Sequence, residues 1–590
     1  MSLNNDLSDL FKTFAAIMEI KGEAVFKAIA FSKVARVLND MTFDIKDAVE
    51  KGTLDEIEGI GKSSRKIIEE FVATGRSSDF DDAAKAVPAG LIPMLQISGL
   101  GPKTIALLWK ERGITCVEEL AKAIVDGKLA GLKGIGDKKI EQIKQGLTMR
   151  EQAGKRLGIG DAQIVAEEFL RQLLTLKGVE IADIAGSLRR RKETIGDVDL
   201  IAGVVTSVTM ESITKAFTQF PGVARILGQG PSKASIVTDQ NLQIDLRTVP
   251  VDHFGAAIQY FTGSKEHNIK LRGLAQDKGL TLNEWGLYQL SEYDKAKKET
   301  AQPPAVKAVA SKTEADVYRA LGLEYIEPEL REDRGEIEAA QAGKLPALIT
   351  RADIRGDLHT HTTASDGANT IEQMAEAAKK LGYAYLAITD HSKSQMIANG
   401  LTAERLLKHV EAIRRADEKI KGIKLLAGCE VDILVDGSLD FDESVLKELD
   451  WVVASPHVSL RQDAAKATAR ILRAIETRYV NVIGHPTGRL INQREGLPLE
   501  FAKIFEAASR TGTALEINAG YPRLDLTDTI ARAAIDAGCM LSINTDAHSV
   551  EGFDWMFFGI QVARRAWATP ANVINCMNYK SLQQFIDRKR

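Results

Sequence analysis

The 590-residue sequence predicts a multidomain protein with a helical amino-terminal part, an α/β middle and a carboxy-terminal β/α barrel. Three observations predict it. A glycine-containing turn recurs three times within the first 150 residues. An apolar strand ending in Gly186-Ser187 precedes a second strand carrying Asp197-x-Asp199. Between residues 353 and 590, His, Asp and Glu residues follow one short apolar run after another. The chain is too long for a single hydrophobic core.

Composition bounds the class. Hydrophobic residues at 44% and charged residues at 27% describe an ordinary globular protein. The absence of an 18-residue apolar span predicts no membrane helix, and the start Met-Ser-Leu-Asn-Asn-Asp does not read as a secretory leader. Cys116, Cys429, Cys539 and Cys576 have no paired spacing, which predicts reduced thiols in a cytoplasmic protein. A formal charge of −4 does not advertise nucleic acid binding, so any DNA contact must come from local basic patches and backbone amides.

The first element is the repeat. Leu54-x-x-Ile57-x-Gly59-Ile60-Gly61, Met94-x-x-Ile97-x-Gly99-Leu100-Gly101 and Leu129-x-x-Leu132-x-Gly134-Ile135-Gly136 share one spacing. Each leads into a basic helix start: Lys62, Pro102-Lys103 and Asp137-Lys138-Lys139. Glycine permits positive φ and close approach of a partner. The amides at the following helix start can hold a phosphate oxygen, which positions a duplex without reading its sequence. A single Gly-x-Gly would be an ordinary turn; three matched copies favour DNA-backbone binding. The repeat resembles the helix-hairpin-helix element.

The second element is a nucleotidyl-transfer signature. Alternation along a strand puts Asp197 and Asp199 on one face. A further strand, Leu242-Gln-Ile-Asp245-Leu, offers a third carboxylate. Clustered carboxylates repel unless a cation neutralises them, and hard oxygen sites suit Mg²⁺ (or Mn²⁺). Three can hold two ions about 3.5–4 Å apart for an in-line phosphoryl displacement. Gly186, Ser187 and Arg190 would hold a triphosphate through amide, hydroxyl and guanidinium contacts.

Downstream, Tyr260-Phe261-Thr-Gly263-Ser precedes Asn268 and Arg272, then Asn283-Glu-Trp-Gly. This order resembles the family X DNA polymerases, the beta-like group, over residues 1–330. The resemblance implies that Asp197, Asp199 and Asp245 are catalytic metal ligands. It gives Ser187, Arg190 and Gly196 triphosphate contacts, with Arg156 a further candidate. It gives Tyr260, Phe261 and Gly263 the incoming sugar, and Asn268 and Arg272 the minor groove of the nascent pair. Three positions depart from the pattern. Ile67 stands where the beta-type lyase has its lysine, with Lys66 beside it; Gln243 replaces an arginine and Ile195 a serine.

The third element carries His359-x-His361, Asp366, His391, Glu430, His457, His485 and Asp546-x-His548. Six of the nine histidines of the chain lie in these segments, most of them just after apparent strands, as in a β/α barrel. His253, His267 and His409 lie outside the pattern. Imidazole with carboxylate suits zinc, manganese or iron. The run resembles the PHP (polymerase and histidinol phosphatase) domain, which implies a distorted (β/α)7 barrel with a trinuclear Mn²⁺ (or Zn²⁺) site for phosphoester hydrolysis. Glu430 is expected to bridge two ions, with Asp366, His391, His485 and His548 on one side and His359, His361 and Asp546 on the other. Activity is expected to fall as pH drops through the imidazole range near ~6.5.

The combined resemblance is to bacterial and archaeal family X polymerases fused to a PHP domain. It implies a monomeric DNA repair enzyme acting on gapped or nicked duplex with dNTPs, and also on 3′ ends or abasic sites. The expected divisions are 1–80 and 81–150 (hairpin regions), 151–255 (palm), 256–330 (nucleotide-side subdomain), 331–352 (a charged linker) and 353–590 (PHP barrel).

Overall fold

The computed structural model describes the chain except residues 1–2, 23–24, 41–44, 58, 96, 98–99, 130–131, 133–134, 137–138, 142, 145–146, 148–155, 207, 297–305 and 590. Gly99 and Gly134 lie outside the described residues. The chain forms two compact units, Met1–Lys155 and Arg156–Arg590.

The first unit is helical and has two apolar cores. Leu7, Phe11 and Phe14 of helix Leu3–Lys21 pack with Phe31, Leu54, Ile60 and Ile67. Ile17 and Ile20, farther along the same helix, pack with Met94, Ile97, Leu100, Leu129, Leu132 and Ile135. The apolar positions of every repeat therefore serve a core. The three turns also share hydrogen bonds. Ile60, Leu100 and Ile135 donate their amides to the carbonyls of Ile57, Ile97 and Leu132, and Arg65, Ile105 and Ile140 donate to Gly61, Gly101 and Gly136.

In the second unit, helix Ile159–Leu174 is followed by a five-stranded sheet. Its strands are β1 (Val179–Ile184), β2 (Asp197–Val204), β3 (Val223–Gln229), β4 (Lys233–Thr238) and β5 (Gln243–Pro250), in the order β1-β2-β5-β4-β3. β2 and β5 are parallel and pair Asp197 with Gln243 and Asp199 with Asp245. Helices Phe254–Thr262 and Lys265–Asp277 follow, then the hairpin β6 (Leu280–Asn283) and β7 (Gly286–Gln289).

The barrel strands are β8 (Gly356–Asp357), β9 (Tyr385–Ile388), β10 (Lys424–Asp432), β11 (Trp451–Ser455), β12 (Val482–Ile483), β13 (Ala514–Asn518) and β14 (Leu541–Asn544). All pair in parallel and in chain order. Among the described residues, a bridge between Thr360 and Ala547 links the first and last strand ends, so the barrel is nearly closed, as expected.

The charged stretch expected as a linker is instead part of the packed interior. Arg331 is fully buried, with Nη1 2.6 Å from Glu314 Oε1 and its guanidinium over Tyr318 and Tyr325. Glu336 is buried against His267 Nδ1 at 2.6 Å. Charge density suggested solvent, but Arg331 meets an opposite charge in Glu314, and Glu336 is held by His267 and by the Asp333 and Arg334 amides. Helix Leu290–Ala296 follows the hairpin.

Candidate active sites

The carboxylate site sits where β2 and β5 run side by side. Asp199 is largely buried. Burial, then the charges of Asp197 and Asp245, push its carboxyl up to about 7. Gly186 has φ +63°, and a Cβ there would lie 2.3 Å from Asp199 Oδ2, so only glycine leaves room for the acid. Lys233 Nζ lies 3.3 Å from Asp245 Oδ2, and Gln243 Nε2 donates to Asp245 Oδ1 at 3.2 Å. The glutamine thus props the third carboxylate.

Around this sheet the expected nucleotide residues have defined partners. Arg190 Nε donates to Glu332 Oε1 at 3.1 Å, and its Nη1 donates to the Thr262 carbonyl. Arg247 lies over the Phe261 ring at 5.1 Å, and Tyr260 packs edge-on against Phe261 at 5.2 Å. Asn268 donates to the Tyr260 carbonyl at 2.6 Å, and Arg272 is exposed. Ser187 lies in the short helix Gly186–Arg189. Arg156 is committed to Thr194, with Nε 3.0 Å from Oγ1. Ile195 is buried in the core.

In the first unit Gly59 has φ +100°, and a Cβ there would crowd Val37 at 3.1 Å. Gly61, Gly101 and Gly136 are exposed, and a Cβ on any of them meets nothing within 4 Å. Ile67 is core, whereas exposed Lys66 pairs with Asp79 at 3.6 Å.

The barrel gathers all nine expected residues around its carboxyl-terminal strand ends. Three groups of them could hold a metal ion: His361, Asp366, His391 and His548; His359, His361, Glu430 and Asp546; His391, Glu430 and His457. Glu430 is central. Its Oε1 lies 2.9 Å from His485 Nε2 and 3.3 Å from both His359 Nε2 and His457 Nε2. Its Oε2 lies 2.8 Å from His391 Nδ1. His485 therefore stands on the His457 side of Glu430, not with Asp366 and His548 as expected from the sequence. It follows β12, which is paired with β11, the strand before His457.

The donor set fits metal ions. His359 Nε2, both nitrogens of His361, His391 Nδ1, Glu430 Oε2 and Asp546 Oδ1 are buried without a hydrogen-bond partner. His391 Nδ1 and Glu430 Oε2 approach closely without hydrogen-bond geometry, as two ligands of a shared ion do. Outer groups orient the imidazoles: Glu516 Oε1 lies 2.8 Å from His359 Nδ1, and Asp432 contacts His457 Nδ1. Sequence reasoning missed both carboxylates. The available signal was position, since Asp432 shares a strand face with Glu430 and Glu516 lies on β13. His409 binds Asp390 at 2.8 Å, and Asp390 accepts from Thr362 and Ser365, a structural role consistent with its omission from the metal set.

Electrostatics follow this arrangement. Burial, with His548 and His391 alongside, lowers His361 to about 4. Burial also opposes charge on His457, yet Glu430 and Asp432 raise it to about 10. His548 likewise reaches about 9 against burial, through Asp366 and Asp546. Despite burial, His457, His359 and His391 keep Glu430 well below the usual carboxylate range.

A carboxylate-bearing palm sheet joined to a seven-stranded barrel with a histidine–carboxylate centre defines a nucleotidyltransferase fused to a metallohydrolase fold. Family models match accordingly: a helix-hairpin-helix domain at 2–77, a SAM-like helix-hairpin-helix tandem at 91–148, DNA polymerase beta thumb at 257–332 and the PHP domain at 357–520. The chain is 38% identical over 585 residues to the DNA polymerase/3′-5′ exonuclease PolX of Bacillus subtilis (strain 168), covering 99% of each. It is 31% identical over 247 residues to a probable phosphatase of Thermoanaerobacter sp. (strain X514), covering 40% of this chain and 95% of that one. The chain belongs to the PolX family of DNA polymerase/3′-5′ exonucleases. Among the described residues, no helix is long and apolar enough to cross a membrane.

Proposed function

We propose that this chain is a cytoplasmic, monomeric repair polymerase that fills gaps in duplex DNA and trims 3′ ends. The reading rests on one observation: two chemically different acidic centres share one folded unit. The palm centre offers only carboxylate oxygens, which suits Mg²⁺ (or Mn²⁺). The barrel centre mixes imidazole and carboxylate, which suits a trinuclear Mn²⁺ (or Zn²⁺) site.

At the palm, Asp197, Asp199 and Asp245 would hold two ions, with Asp245 beside the primer 3′-hydroxyl. Gly186, Ser187, Arg190 and Gly196 would hold the triphosphate of the dNTP. Tyr260, Phe261 and Gly263 would pack on its sugar, and Asn268 and Arg272 would contact the nascent pair. The amides following Gly59-Ile60-Gly61, Gly99-Leu100-Gly101 and Gly134-Ile135-Gly136 would grip the duplex flanks.

At the barrel, His359, His361, Asp366, His391, Glu430, His457, His485, Asp546 and His548 would hold the ions, with Glu430 shared. Bound ions would polarise the phosphodiester and activate the attacking water. Glu516 and Asp432 would keep His359 and His457 turned toward them. The similarity to phosphatases favours a second reading, phosphomonoester hydrolysis. Gap filling with Mg²⁺, degradation of a 3′-labelled strand with Mn²⁺, and hydrolysis of a simple aryl phosphate separate the two. The proposal expects the first two to be fast and the third slow. Rapid aryl phosphate hydrolysis without strand degradation would favour the second reading.

A further inference from the structure

Two arginines of the barrel grip the loop that joins Arg190 to Asp197. Arg565, 3% exposed at the end of helix Met556–Arg565, donates from Nη1 to the Arg190 carbonyl at 2.5 Å and to Glu332 Oε1 at 3.0 Å. Its Nη2 donates to Asp528 Oδ2 at 2.8 Å. Glu332 Oε1 is the same atom that accepts from Arg190 Nε. Farther along the loop, Arg489 forks onto Glu193, with Nη1 and Nη2 at 3.1 and 2.6 Å.

Nothing in the palm alone requires these contacts. A loop bearing a phosphate-binding arginine must otherwise be ordered when the nucleotide arrives, which weakens binding. Arg565 fixes both the main chain of Arg190 and the carboxylate that orients its guanidinium. A forked, permanently charged guanidinium suits three acceptors at once; an ammonium on the same stem cannot reach all three.

We infer that Arg565 of the barrel is a positioning residue for nucleotidyl transfer: it aims Arg190 at the incoming triphosphate. The barrel thus contributes to polymerisation without touching the substrate. This inference rests on the reading in which Arg190 holds the triphosphate.

Single-nucleotide gap filling by the full chain tests it, with 3′-end degradation measured on the same preparations. Arg565→Ala should raise the KM for dNTP about tenfold, change kcat much less, and leave strand degradation intact. Arg565→Lys keeps the charge facing Glu332 and Asp528. It should show an intermediate KM, and it serves as the decisive variant if Arg565→Ala does not fold. An unchanged KM in either folded variant overturns the inference, as does a parallel fall of kcat and strand degradation. Arg190→Ala separates the underlying reading. If it leaves KM unchanged, the triphosphate role fails. If it raises KM while the Arg565 variants do not, only the inference about Arg565 fails.

Discussion

Asp199 and Asp245 stand opposite one another in register on adjacent parallel strands, and burial with its acidic neighbours pushes the Asp199 carboxyl up to about 7. A carboxyl whose folded pKa exceeds its unfolded value binds its proton more tightly when folded. It therefore costs stability as pH rises from the ordinary carboxylate range through about 7.

Asp199→Asn removes that cost. The metal-free variant should be more stable than the parent at pH 8 by on the order of a few kcal/mol, seen as a higher melting temperature, and no more stable near pH 3.5. It should also lose nucleotide addition. Thermal melts at the two pH values, without divalent ions, check the sign; equal melting at pH 8 contradicts it.

The outer glycines give a clean probe of duplex binding. Side chains at Gly61, Gly101 and Gly136 meet open space, so Gly→Val there leaves the fold intact while blocking close approach of a backbone phosphate. Affinity for gapped duplex should fall about tenfold or more for the triple variant, and its salt dependence should flatten. Unchanged affinity would make the motifs ordinary turns. At Gly59, by contrast, the positive φ confounds the test with strain.

Much of this was legible in the sequence because it is local. The repeat spacing fixed both core residues and turns, and alternation placed Asp197 and Asp199 together. Histidines after apolar runs marked the barrel rim. What was hidden depends on distant pairing. The side of Glu430 on which His485 falls depends on β11 lying beside β12, and Glu516 meets His359 only because the barrel curls nearly closed. Arg331 looked like linker charge because its partners, Glu314, Tyr318 and Tyr325, lie before it in a separate segment.

That buried pair makes a stability prediction. Against the cost of burial, Arg331 and Arg189 hold Glu314 at about 2. A depressed carboxylate contributes stability above its unfolded pKa and loses it as pH falls toward about 2. Glu314→Gln strands Arg331 in the interior and should cost about 3–5 kcal/mol at pH 7. Denaturant titration at pH 7 and pH 3 checks this: the deficit should shrink at the lower pH.

Lyase chemistry should be weak or absent. Ile67 is core, and Lys66 lies exposed beside Asp79. Borohydride should trap little protein on a 5′-deoxyribose-phosphate end; efficient trapping at Lys66 would refute this.

Metal capture by the barrel should strengthen with pH. His457 at about 10 and His548 at about 9 carry protons that an ion must displace. The rise should continue well above the ordinary imidazole range, which moves the expected window upward from ~6.5. Mn²⁺ titrations between pH 6 and pH 9 should show steadily increasing affinity and proton release. An affinity that plateaus at pH 7 would contradict it.

On this reading, two separate centres perform two opposite reactions on DNA. Its most direct test is one time course on a gapped duplex with a 5′-labelled primer, where lengthening and shortening are read together. With dNTPs, Mg²⁺ and Mn²⁺ present, Asp199→Asn should only shorten the primer and Glu430→Gln should only lengthen it. Lengthening by Asp199→Asn, shortening by Glu430→Gln, or loss of both reactions in either folded variant would show that the two reactions do not belong to two separate centres.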